Sequence, residues 1–376
     1  MKIGRRQLLG GLVAGAGALA LGCAGRRLGA RPRELWLSAQ GDAEDRYALT
    51  IVDAADPGDA RDVLTGFRGH DLVSCPADPA CVVMFGRRPG RAFLVVDIAA
   101  ARAVRELAPG AGRSFQGHGC FSADGGLLYA AEADDQTAEG VISLWETATW
   151  ERVGERPSHG LGPHDLALLP DGQTLVIANG GLLTHPESGA APVNLDTMRA
   201  CLAYVDAATG DLVEEATFRE PKASIRHLAV ARDGLVAVGM QVQRQALDHT
   251  EPVALAATHR RGDPLVELSA PPTFWDSWRD YVGSVALSDA ARTVAMTSPR
   301  GNIAALWDLD TGALIGHHRL NDVCGVTASA DGRRIIISNT SGELRLLDAA
   351  TAKELPAQRR RLSGYRFDNH MITVMV

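Results

Sequence analysis

The chain has 376 residues, 46% hydrophobic and 22% charged, with a formal net charge of −7. That apolar share is ample for a large core, and the acidic balance argues against nucleic acid as a partner, because phosphate binding needs a basic footprint. No serine-hydrolase elbow, phosphate loop or dinucleotide fingerprint is present; the Gly-rich run at residues 15–22 belongs to a leader.

The N-terminus reads as an address. Arg5-Arg6 followed by Gln7-Leu8-Leu9 is a twin-arginine pattern, and the Gly/Ala-rich run to Leu21 is too short for a stable bilayer span. Leu21-Gly22-Cys23 resembles a lipobox, so lipidation at Cys23 would be the one link to a membrane. The expectation is export to the periplasm, with residues 1–22 a signal peptide, 23–34 a linker and 35–376 the folded part. Without Lys2, Arg5 and Arg6 the exported part carries 35 basic against 45 acidic residues. Five cysteines remain beyond Cys23, an odd number for an oxidising compartment, and Cys75 and Cys81 flank a turn that a disulfide would suit.

From residue 35 onward a unit of roughly 40–60 residues repeats, which is the length of a propeller blade. Its first marker is a hairpin acid at Asp78, Asp124, Asp171, Asp233, Asp289 and Asp331. A second is a β-rich run ending in an acid, as in "FLVVDIAA", "LAYVDAATG" and "AALWDLDTG". Each unit predicts a four-stranded meander, with innermost strands starting near residues 70, 118, 164, 227, 283 and 325. A seventh innermost strand, "NHMITVMV", has no chain left to complete its blade. The N-terminal runs 35–40, 47–53 and 61–67 supply its three outer strands and remove the open sheet edges. The predicted fold is therefore all-β, a seven-bladed β-propeller of the WD40/YVTN-like kind, with the ring closed by both ends of the chain.

Aligned at their starts, five of the seven innermost strands carry histidine: His70, His118, His164, His227 and His370. The chain has only 11 histidines in all. Innermost strands converge on the axis of a propeller, so neutral imidazoles there would form a site for iron, copper or another nitrogen-preferring transition metal. Cys324, at the start of the sixth innermost strand, would add a softer ligand. Glu132, from the long loop region 131–140, is a candidate ligand and the one candidate general base. The loops at 179–198, 240–252, 273–281 and 359–369 would crowd the same face, bringing His185, Asn194, Asp196, His249 and the aromatic side chains Trp275, Trp278 and Tyr281. Those aromatics would either cap the channel or pack beneath a loop. A competing reading makes the histidines structural. WD-type blades carry a Gly-His pair whose imidazole bonds inside its own blade, as Gly69-His70, Gly117-His118 and Trp307-Asp308 partly suggest.

The stretches "FQGHGCFSADGGLLYAAE", "PSHGLGPHDLALLPDGQTLVIANGGLLTHPESG", "SIRHLAV", "DVCGV" and "DNH" together resemble an uncharacterised family of exported bacterial proteins, known as a domain of unknown function. The resemblance spans essentially the whole mature chain. It implies twin-arginine export and a genomic setting beside imelysin-like and di-haem peroxidase-like genes linked to iron uptake. The family pattern has a second histidine where this chain has Gln116. Three functions follow as expectations: a periplasmic metal-binding propeller serving iron uptake, with other iron-uptake proteins as partners; a metal-dependent enzyme, redox or lactonase-like; or an interaction scaffold with structural histidines.

Overall fold

A computed structural model describes residues 32–41, 46–184 and 191–376. The signal peptide, Cys23, most of the linker and His185 lie outside the described residues. Alternating and continuous apolar runs form 28 strands, arranged as seven four-stranded antiparallel sheets. Arg33–Val376 forms one compact unit. Six sheets are built from consecutive strands, so each blade is a simple meander joined by short turns. The seventh joins the two ends of the chain: β28 (Phe367–Met375) pairs with β1 (Glu34–Gln40), then β2 (Ala48–Asp53) and β3 (Arg61–Leu64) follow outward. Closure of the ring by those N-terminal strands is as the sequence predicts.

The core lies between blades, where the two faces of neighbouring sheets meet. One cluster packs Leu35, Leu37 and Leu49 of the closing blade against Val82, Met84 and Leu94 of the next. Another runs through three blades, from Val176 to Trp307. Trp275 belongs to it, stacked on Trp307 with ring centroids 5.6 Å apart, and Trp278 is fully buried beside them. Both tryptophans thus pack beneath their loop. The short helix α1 (Pro272–Asp276) presents Trp275 to that core. Cys75 and Cys81 are not joined by a disulfide, so that expectation is not met.

The seven innermost strands are β4 (Gly69–Cys75), β8 (Arg113–Phe121), β12 (Pro163–Leu168), β16 (Ala223–Val230), β20 (Ser284–Ser288), β24 (Val323–Ala328) and β28. Six of them slip register against their neighbour near their first residues. The slips fall at 69–72, 115–119, 163–165, 225–227, 323–326 and 367–371. Such bulges re-aim a side chain that regular pleating would direct elsewhere. All five phase-matched histidines lie in or at the edge of one. The unbulged strand, β20, pairs in unbroken register and carries no histidine.

Candidate metal centre

The five bulged histidines turn their rings toward the axis and meet there. Going round the cluster, ring centroids lie 4.8 Å apart for His70–His118, 4.7 Å for His118–His164 and 4.8 Å for His164–His227. His227–His370 at 4.7 Å and His370–His70 at 4.6 Å complete the circuit. The rings are edge-on or tilted toward one another rather than stacked. All five are buried, between 1% and 6% exposed. Ser284, the first residue of β20, lines the same space.

Few of their ring nitrogens are satisfied. His118 Nδ1 lies 3.0 Å from Asp71 Oδ2 and 3.4 Å from Asp165 Oδ1. His370 Nδ1 lies 3.0 Å from Ser284 Oγ. Six further ring nitrogens are buried without a hydrogen bond: both of His70, Nε2 of His118 and His370, and Nδ1 of His164 and His227. A buried polar atom left unpaired costs about 1–3 kcal/mol, so six in one place is a large local expense. His259, away from the axis, has Nδ1 2.6 Å from the Tyr204 hydroxyl and Nε2 3.6 Å from Glu214 Oε1.

Electrostatics keep the rings neutral. Burial pushes His70, His164 and His227 well below the usual imidazole range, with added repulsion from neighbouring histidines and, for His164, from Arg226 first. Burial likewise lowers His118, and lowers His370 to about 4. A neutral imidazole offers a lone pair to a metal ion, whereas a protonated one offers none. Two triads place ligand atoms within 4.8 Å of one another: His70, His118 and His370, and His118, His164 and His227. Nitrogens that share an ion at about 2.1 Å lie roughly 3–4 Å apart, so each triad needs only a small inward turn of its rings. His118 belongs to both.

Asp71 and Asp165 follow His70 and His164 directly, and both face a cavity of about 260 Å3 along the channel. His118, His227 and His370 line the same space. Burial raises both carboxyls toward the neutral range. Asp165 is fixed by the backbone N–H groups of Leu166 and Leu228, at 2.8 and 2.9 Å. A carboxylate on the far nitrogen of a ligating histidine sets its tautomer and strengthens its lone pair. The repeated His-Asp-Leu in "GHDLV" and "GPHDLAL" was the sequence signal for this pair, and Asp71, Asp165 and Ser284 were absent from the expected site.

Other expected residues lie elsewhere. Cys324 occupies the bulge of β24 but turns away from the axis, its thiol 3.3 Å from the Phe367 carbonyl oxygen; burial raises its pKa to about 12. Glu132 is fully buried in β9 (Leu127–Asp134), opposite Phe115, with Arg152 Nη2 3.5 Å away. Neither joins a triad. His249 is held by Glu220 and Glu251, each at 3.1 Å. Asn194 braces its own loop through Leu183 and Gly181, and Gln116 folds back on Ser114. Bonding of the five histidines within their own blades, as the scaffold reading requires, is not what the structure has: the partners of His118 and His370 come from other blades.

Comparison with known proteins is consistent with this architecture. The model of a family described as "Protein of unknown function (DUF1513)" matches residues 63–374. A solved structure titled "Kuenenia stuttgartiensis Hydrazine Synthase" is similar in fold, with a TM-score of 0.63 over 81% of this chain and 90% of that one. At 17% identity the likeness is one of fold alone. No curated protein matches the chain.

Proposed function

The chain belongs to the family described as Protein of unknown function (DUF1513), and from that premise we propose that it is an exported propeller that binds a transition metal ion, iron or copper, for iron uptake. The observation that carries the reading is the set of six unpartnered imidazole nitrogens buried at one point of the axis. Evolution tolerates such a cluster where a ligand repays its cost, and all-imidazole donors suit iron, copper and zinc better than magnesium or calcium. His70, His118, His164, His227 and His370 would hold the ion, with His118 common to both triads. Asp71 orients His118 from behind. The partners on this reading are the metal ion and other periplasmic iron-uptake proteins.

The test is metal analysis of protein exported in its native host, followed by titration of the stripped protein with Fe(II) and Cu(II). Wild type is expected to take up about one ion per chain, and His118→Ala to lose at least about 100-fold in affinity, since it serves both triads. Metal-free wild type, with His164→Ala and His227→Ala binding like it, overturns the reading.

One observation favours a metal-dependent enzyme as a second reading. Asp71 and Asp165 face the cavity beside the cluster with raised carboxyl pKa values, which is the setting of a general acid or base near neutral pH. They take the place that Glu132 was expected to fill. Turnover of a peroxide or lactone by the metal-loaded protein, lost in Asp165→Asn, separates catalysis from binding alone.

A further inference from the structure

The side of the histidine cluster nearer the loops carries a charge that no group among the described residues balances. Arg226 precedes His227 in the bulge of β16 and is only 2% exposed. Its Nε is buried without a partner, and among the described residues no carboxylate, carbonyl or hydroxyl accepts from its guanidinium. Burial acts most strongly against its charge, and a second cation, Arg88, adds to that. Arg88, in the loop after β5 (Asp78–Gly86), is half-buried and also lacks an ion pair among the described residues. Both arginines act on His164 and His227 as well.

The surrounding arginines are satisfied, which makes the two exceptions informative. Arg68 and Arg87 share Asp368, at 2.6 and 3.5 Å, and Arg300 lies over the Tyr281 ring, 4.3 Å from its centroid. Acids are not scarce in a chain with 45 of them, yet none among the described residues is supplied to Arg226. A guanidinium is charged at all working pH values and presents a rigid fork of donors that matches carboxylates and oxyanions. Burying one without a counter-charge is unfavourable unless something else brings the negative oxygen.

We propose that Arg226 and Arg88 form a binding site for a small oxygen-bearing anion, a carboxylate or inorganic oxyanion, on the loop side of the histidine cluster. The anion neutralises both guanidiniums and accepts their paired N–H donors. Nothing in this requires a metal, so the site stands or falls apart from the metal reading.

Calorimetric titration of the metal-free protein at low ionic strength, with citrate and separately with inorganic phosphate, tests it. Wild type is expected to bind at least one of the two saturably; preference for citrate identifies a carboxylate ligand, preference for phosphate an inorganic oxyanion. Arg226→Met and Arg88→Gln are each expected to weaken that binding at least tenfold. Arg232→Gln, an exposed arginine beside Asp289, is expected to leave it unchanged. Arg226→Met is also expected to melt at a higher temperature than wild type in anion-free buffer, because it removes an unbalanced buried charge. A structural arginine would show the reverse. The proposal is overturned if neither anion binds saturably, or if binding survives in both arginine variants.

Discussion

His118 shows how much of the site turns on single atoms. One nitrogen is held by Asp71 and the other is free and buried, so the ring has one tautomer choice and one direction in which to offer a lone pair. Asp71→Asn keeps the shape but removes the charge behind that ring. It is expected to lower metal affinity about 10–100-fold, read by competition with a chromogenic chelator, while the far-UV spectrum stays unchanged. Position along the chain was enough to select all five histidines, because each opens an innermost strand. It was not enough for Cys324, which opens the sixth such strand and yet donates to a backbone carbonyl of the next blade. Nor could it select Arg226, whose distinction is the lack of a partner among the described residues.

At the scale of the strand, the decisive device is the bulge. A regular strand alternates its side chains between the two blade faces, and an extra residue near its start swings one of them toward the axis. In β8 the bulge runs through Gly117, whose φ of +101° is a conformation that side chains resist. A Cβ there would also come within 2.5 Å of His70 Cδ2. Gly117→Ala is therefore expected to cost about 1–3 kcal/mol in urea denaturation and to weaken metal binding by displacing His70. Gly112→Ala is the control: its φ is +71° but nothing lies within 4 Å, so it is expected to share the strain and spare the metal. Strands and hairpins were legible from local pattern. The bulges were not, since they are defined by the register of a partner strand.

Two properties belong to the whole ring. The first is its closure by β1 and β28, which leaves no blade incomplete. Leu37 is fully buried in that closing blade, and Leu37→Ala is expected to cost about 2–5 kcal/mol by calorimetry or denaturant titration. The second is a dependence on pH. Each of the five histidines has its pKa lowered on folding, so the unfolded chain binds more protons once pH falls below about 6.5. Stability of the metal-free protein is then lost on acidification, down through the folded value of about 4 for His370. Asp71 and Asp165 oppose this, because their raised values let the folded state take protons first. Five groups against two leave a net loss. The melting temperature of metal-free protein is expected to fall between pH 7.5 and pH 5, and His370→Gln to shrink that fall.

The blades, their number, the closure of the ring and the common phase of five histidines could all be read from the chain, because each is a matter of spacing between near neighbours. The direction of the rings, the turning away of Cys324, the burial of Trp275 and Trp278 beneath their loop, and the unbalanced Arg226 could not. Those depend on which groups from separate blades share one low-dielectric space at the axis or between sheets. Periodicity places a residue at that space; only the packing around it settles what it faces and what it lacks.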